Sequence, residues 1–315
     1  MKQFTYICGL ALLVFTLNFT MLAQDNSNQA EIDDLNKISK LSKSKKDEDH
    51  EKAYELAKEF LKKYDKGKEN ENVKKIKGFV ENYRMASFNK KLDDGKTAEA
   101  FAMGKQMLAE TPDDPYITMS LAYGGFDAFV NRKDKTFAAD SLAYARQTLK
   151  SFEAGKFPKS YAPLKDQTEA TALMYYAIGT LEVDSNLDDA AVNFYKSVQY
   201  DSQFKAKAYA YEVITYFYEQ KYNALAQDFQ KKHGSKTAED AAMKADEAKL
   251  DKVLNNMLDA YARGIKVAEA AKDPVADQWK KRFAEVYQFV KKSDAGAADF
   301  LTNQPNQPFP NPSEI

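Results

Sequence analysis

The chain has 315 residues, with 46 Lys and Arg against 47 Asp and Glu and a formal net charge of −1. Five of the cations are Arg (Arg84, Arg132, Arg146, Arg263 and Arg282); phosphate and base-edge recognition favour Arg for its fixed fork of donors, so the balance argues against a nucleic-acid partner. The single cysteine, Cys8, lies in the N-terminal apolar run, and once that run is removed neither a disulfide nor thiolate chemistry remains.

Met1-Lys2-Gln3 leads into an apolar stretch from Phe4 to Leu22, and Ala23 offers a small residue before polar Gln24-Asp25-Asn26. A short basic start, an apolar core and a small residue predict a secretory signal peptide over residues 1–23, with the periplasm preferred as destination and secretion second. A retained membrane anchor is the alternative, because the run nearly reaches the roughly 20 residues of a spanning helix. No basic flank follows it, which favours cleavage. No second apolar run approaches that length, so stable membrane insertion is not expected after cleavage. Residues 24–48 are polar, with Ile32, Leu35, Ile38 and Leu41 scattered among charges, and read as a flexible tether.

From residue 49 the pattern changes. Ala53, Leu56, Ala57, Phe60, Leu61 and Tyr64 recur at three and four residues, which places them on one helical face. Comparable stripes continue nearly to the C-terminus without an alternating β-branched run, so the fold class is all-α. Thr111-Pro112-Asp113-Asp114-Pro115 must end one helix and open another, since Pro is tolerated in a first turn but not inside a helix.

The clearest unit begins near Thr171. Ala172 to Leu181 forms its first helix and Asp184-Ser185-Asn186 its turn. A second helix then carries Ala190, Phe194, Ser197 and Asp201. Small residues at Ala190 and Ser197 let two helices approach closely, while Phe194 fills the gap to the next pair. A following unit opens near Lys205 with Ala208 and Tyr211, and Ala224 stands 34 positions after Ala190. An earlier one runs from Glu81 to Asp114 with Ala100, Gly104, Met107 and Pro112, and Pro115 to Phe152 supplies another pair. Residues 49–233 thus resemble the tetratricopeptide repeat superfamily in degenerate form. That resemblance implies a right-handed superhelical array of antiparallel helix pairs, an α-solenoid.

Residues 234–293 depart from that pattern. They predict a long charged helix, started by Thr237 with Asp240 three later, and a second helix after Pro274. Together these form a C-terminal hairpin capping the array through Val275, Trp279, Phe283, Val286, Tyr287 and Val290. Residues 294–315, rich in Pro and Asn, read as an extended tail.

Candidate chemistry is sparse. His50 and His233 lack metal-ligand spacing, and His233 before Gly234 suits a helix end with a left-handed turn. Asp93-Asp94, Asp113-Asp114 and Asp188-Asp189 are read as helix caps, since adjacent residues on a helix diverge. Neither cofactor nor metal is implied, and a non-enzymatic role is expected. In the repeat family the first helices line a concave groove. The resemblance therefore implies a groove for a protein or peptide partner built from Tyr116, Met119, Tyr123, Phe126, Tyr175, Glu182, Tyr209 and Tyr216, with Val213 beside them. Aromatics suit such capture because they offer large area with few rotamers to freeze. The competing reading of the same stripes is core packing. A structural spacer of the cell envelope is the alternative function, and a carboxylate-based glycan-active enzyme a third.

Overall fold

The computed structural model describes residues 29–67, 70–234 and 240–315. The signal-peptide reading of residues 1–23 and the start signal at Thr237 fall outside the described residues. Among those described there are twelve α-helices and no strand, as the periodicity predicts. No helix among them is long and apolar enough to cross a membrane. The chain divides into two compact units, one up to Met103 and one from Gly104 onward.

The first unit is built on α1 (Gln29–Ser42), α2 (Asp47–Tyr64) and α3 (Glu71–Asp93). Here the tether reading of residues 24–48 is corrected over the described residues 29–48: α1 packs against α2. Its Leu35 and Ile38 are buried with Ala53, Ala57 and Phe60 of α2 and Val73, Ile76 and Phe79 of α3. Three-residue spacing of apolar side chains is too weak to fold alone, but it suffices once a neighbouring face is there to cover it. Asp34 on α1 accepts hydrogen bonds from Lys63 Nζ and Tyr64 Oη of α2, both at 3.1 Å.

Two further expectations change in this unit. No helix opens at Glu81. Instead α3 starts ten residues earlier, where the Asn70 side chain accepts from the backbone N–H groups of Asn72 (2.8 Å) and Val73 (3.4 Å). Asp93 and Asp94 close α3 rather than capping α4 (Thr97–Glu110), and burial together with Asp94 raises the Asp93 carboxyl above its usual range. Helix α4 runs across the division between the units.

In the second unit each helix packs on the next. In order these are α5 (Pro115–Arg132), α6 (Ala138–Glu153), α7 (Gln167–Glu182), α8 (Leu187–Gln199), α9 (Ala208–His233), α10 (Ala241–Ala270) and α11 (Val275–Lys291). Helix α5 also packs on α7, the contact of first helix on first helix that stacks one pair on another. The starts are capped by side chains: Asp114 for α5, Asp166 for α7, Asn186 for α8 and Asp240 for α10.

Small residues set the helix spacing. Buried Ser141 of α6 donates to the Ala122 carbonyl of α5 at 2.6 Å, and buried Ser197 of α8 donates to the Ala172 carbonyl of α7 at 2.7 Å. Gly179 lies under the Phe194 ring so closely that a Cβ there would stand 2.9 Å from it. Phe194 in turn meets Tyr176 of α7 and Tyr209 of α9 edge-on, filling the space between successive pairs.

The unit opening near Lys205 is not a helix pair. Residues 208–233 form one unbroken α9, so Ala224 lies on the same helix as Ala208 and Tyr211. Between Glu219 and Leu225 stand Gln220, Lys221, Tyr222, Asn223 and Ala224, with no Gly or Pro to break the ladder, and α10 supplies an even longer neighbour. Gly234 ends α9 in a right-handed conformation, φ −59°, rather than the left-handed turn expected. The C-terminal hairpin forms as read, with Trp279, Phe283, Val286 and Tyr287 of α11 buried. Gly264 of α10 permits this approach, since a Cβ there would stand 2.7 Å from the Trp279 ring.

Residues 294–315 are no free tail. A short α12 (Ala297–Asn303) packs on α10, and the residues beyond it lie over α10 and α8. Phe309 is buried, 5.5 Å from the Tyr195 ring and 6.0 Å from that of Tyr211 between ring centroids, with the Arg263 guanidinium 4.6 Å from its own. Arg263 also donates to the backbone carbonyls of Pro305 (3.2 Å), Gln304 (3.3 Å) and Gln307 (2.5 Å). Proline removes donors but leaves its carbonyls free, and those carbonyls are what Arg263 holds.

Candidate functional site

The groove expected along the first helices is divided by the fold. Met119 is 1% exposed, deep in the core shared by α5, α6 and α7, and so is corrected from groove to core. Tyr116, Tyr123, Phe126 and Tyr175 are partly buried and pack against that same core. Phe126 meets Tyr176 edge-on, and Tyr175 stacks on Tyr200 beneath Lys196. These side chains join successive helices, the competing use of an aromatic stripe.

Tyr209 and Tyr216 differ. They are 39% and 49% exposed, and with Val213 at their base they line an open cavity of about 600 Å³ walled by α11. Tyr209, Glu212, Tyr216 and Glu219 fall at spacings of three and four along α9, one helical face alternating aromatic and acid. Across from it stand Trp279, Lys281, Arg282 and Glu285 of α11.

The charges divide into committed and uncommitted. Glu219 Oε1 accepts from Tyr261 Oη at 3.0 Å and from Arg282 Nε at 3.2 Å, while Arg282 Nη1 reaches Glu285 at 2.9 Å. These two carboxylates hold the guanidinium well above its usual range. Among the described residues Glu212 has no such cation. Although it reaches solvent, its surroundings withdraw enough water to raise its carboxyl above the usual value, with the charge of Asp273 adding to that. Burial also raises the Tyr209 phenol, helped by the carboxylates of Glu212 and Asp184. The charges that raise these two side chains are all carboxylates.

Glu182, also expected in the groove, is buried and belongs to a separate cluster. Arg146 Nη2 of α6 donates to Glu182 Oε1 at 2.6 Å and to Asp189 Oδ2 of α8 at 2.9 Å. When ionised, Glu182 leaves Oε2 without a donor; when protonated it can donate to Asp189. Burial and that neighbour push Glu182 up to about 7, against the pull of Arg146. The same partnership lowers Asp189. The three residues tie α6, α7 and α8 together.

The histidines are placed by packing. His233 is buried, its Nε2 3.1 Å from Asp246 Oδ2 and its ring 4.9 Å from that of Phe229, with Nδ1 unpartnered. His50 Nε2 lies 2.6 Å from the Ser44 carbonyl. Among the described residues no three or more His, Cys, Asp or Glu side chains converge to hold a metal.

Sequence reasoning missed Glu212, Glu219 and the whole α11 wall. The acid–aromatic alternation on α9 was available as a signal; the return of α11 over that face was not. Comparison with known protein families, characterised proteins and solved structures finds no match to this chain.

Proposed function

We propose that this protein is an exported, non-catalytic helical scaffold that captures a segment of another protein in the groove between α9 and α11. The observation that carries this reading is the pair of exposed tyrosines, Tyr209 and Tyr216, over the buried Val213 in an open cavity of about 600 Å³. A folded chain ordinarily turns such rings inward. Rings held at a concave surface by a rigid helix supply contact area at little entropic cost. The tetratricopeptide resemblance of the stacked helix pairs and the N-terminal signal-like segment support the same reading, with the periplasm as its site.

A glycan-active enzyme would draw on Glu182 and Asp189, whose carboxyls are driven in opposite directions. Both are held by the same Arg146 nitrogen. Glycosidases instead keep their carboxyl pair about 5 Å or more apart, open to the sugar between them. The cluster suits a structural tie better.

The test is capture from the native cell envelope with wild type and with the Tyr209→Ala/Tyr216→Ala variant. A partner retained by wild type and lost by the variant, with helicity retained at the assay temperature, is the expected result. Equal retention by both would place capture elsewhere on the molecule, and no partner for either would remove the scaffold reading.

A further inference from the structure

We propose that the groove between α9 and α11 takes a basic protein segment, with a Lys or Arg stem lying between Tyr209 and Tyr216 and its cation on Glu212. This inference rests on the groove being the capture site, and adds the chemistry of what is captured.

The argument runs from spacing to charge. Tyr209, Glu212 and Tyr216 occupy positions i, i+3 and i+7 of α9, so one carboxylate sits between two rings on a single helical face. Both rings are substantially exposed and the carboxylate reaches solvent. Of the carboxylates in the groove, Glu219 and Glu285 are already engaged by Arg282. Among the described residues no cation acts on Glu212. Asp273 acts on Glu212, and Asp184 on the Tyr209 phenol, so the surrounding charge has the same sign. Lys281 on α11 is the opposing uncommitted charge among the lining residues.

A carboxylate in partly withdrawn water, flanked along its helix by two exposed tyrosine rings, is poorly matched to a neutral or acidic ligand. It is well matched to an alkyl stem ending in a cation. The stem covers ring surface while the charge gains both ring quadrupoles and the carboxylate. Recognition of this kind favours Lys and Arg over the isosteric neutral side chain by charge alone, which is what the experiment reads.

The probes are a fluorescent twelve-residue peptide alternating lysine and leucine, the same peptide with every lysine acetylated, and its glutamate counterpart. Binding to the purified protein is followed by anisotropy at low and high salt. The lysine peptide should bind, the acetylated one roughly tenfold or more weaker, and the glutamate one not measurably. Glu212→Gln should weaken the lysine peptide about fivefold or more, while leaving the acetylated peptide unchanged. Tyr209→Ala/Tyr216→Ala should abolish binding of both.

If lysine and acetyl-lysine peptides bind equally well and both are lost in the tyrosine variant, the basic preference is overturned and the groove stands as the capture site. Lysine-peptide binding that survives Glu212→Gln and the tyrosine variant overturns the inference, as does failure of any peptide to bind. The acetylated peptide tests charge on the unaltered protein, so a misfolded variant does not rescue the idea.

Discussion

At the scale of single residues, the second unit uses three ionisable groups, Arg146, Glu182 and Asp189, to hold helices together. Glu182 is buried between α6 and α8, and its carboxyl is pushed up to about 7 by burial and Asp189. The folded state therefore binds this proton more tightly than the unfolded chain, where a glutamate keeps its ordinary value near 4.5. Stability from that proton is complete below about 4.5 and is lost as pH rises through about 7. Glu182→Gln carries a neutral amide at every pH. The melting temperature of wild type should consequently fall more steeply than that of the variant between pH 4.5 and pH 8. Parallel curves from thermal unfolding would show that Glu182 is ionised throughout. The cluster is a case where sequence reading chose a meaningful residue for the wrong reason. Position alone assigned Glu182 to a groove, whereas Arg146, 36 residues earlier, and Asp189 at the start of the next helix make it a tie.

Among the elements, the C-terminal segment departs furthest from its reading. Its prolines forbid a long regular helix, but the extended-tail reading does not hold: Ala297–Asn303 form a short α-helix, and Gln304–Asn306 and Pro312–Glu314 form 3-10 turns. What composition does not contain is the buried Asp259–Arg263 pair on α10, at 2.5 Å, which turns Arg263 toward the carbonyls of Gln304, Pro305 and Gln307. Asp259 is 1% exposed, and burial raises its carboxyl while Arg263 and Gln304 pull it back down. Removing the guanidinium leaves a buried carboxylate with only the Gln304 amide. Arg263→Met should therefore cost about 3–5 kcal/mol in urea unfolding, and should expose residues 304–315 to protease under native conditions. A loss below about 1 kcal/mol, with the segment still protected, would mean that Phe309 packing alone holds it. Helix α9 teaches the converse lesson. The 34-residue spacing from Ala190 to Ala224 is real in the sequence, yet a helix without Gly or Pro continues as long as a neighbour covers it.

Across the molecule, the division between core and groove separates side chains that look alike in the chain. Met119 and Tyr216 both fell on first helices, and substitution should tell them apart. Met119→Ala opens a cavity in a closed core and should cost about 2–5 kcal/mol, whereas Tyr216→Ala should stay within about 0.5 kcal/mol, both by chemical denaturation. A large loss at Tyr216 would place that ring in the core as well. The all-α class, the paired helices from α5 to α8 and the α10–α11 hairpin could be read from the sequence, because the apolar period, the capping residues and the helix breakers are local properties of the chain. The packing of α1 and of the C-terminal segment, the unbroken α9 and the groove over its acid–aromatic face were decided by tertiary structure. Each depends on which surface a distant helix presents, and a weak stripe or a lone carboxylate takes its role from the neighbour that covers it or leaves it bare.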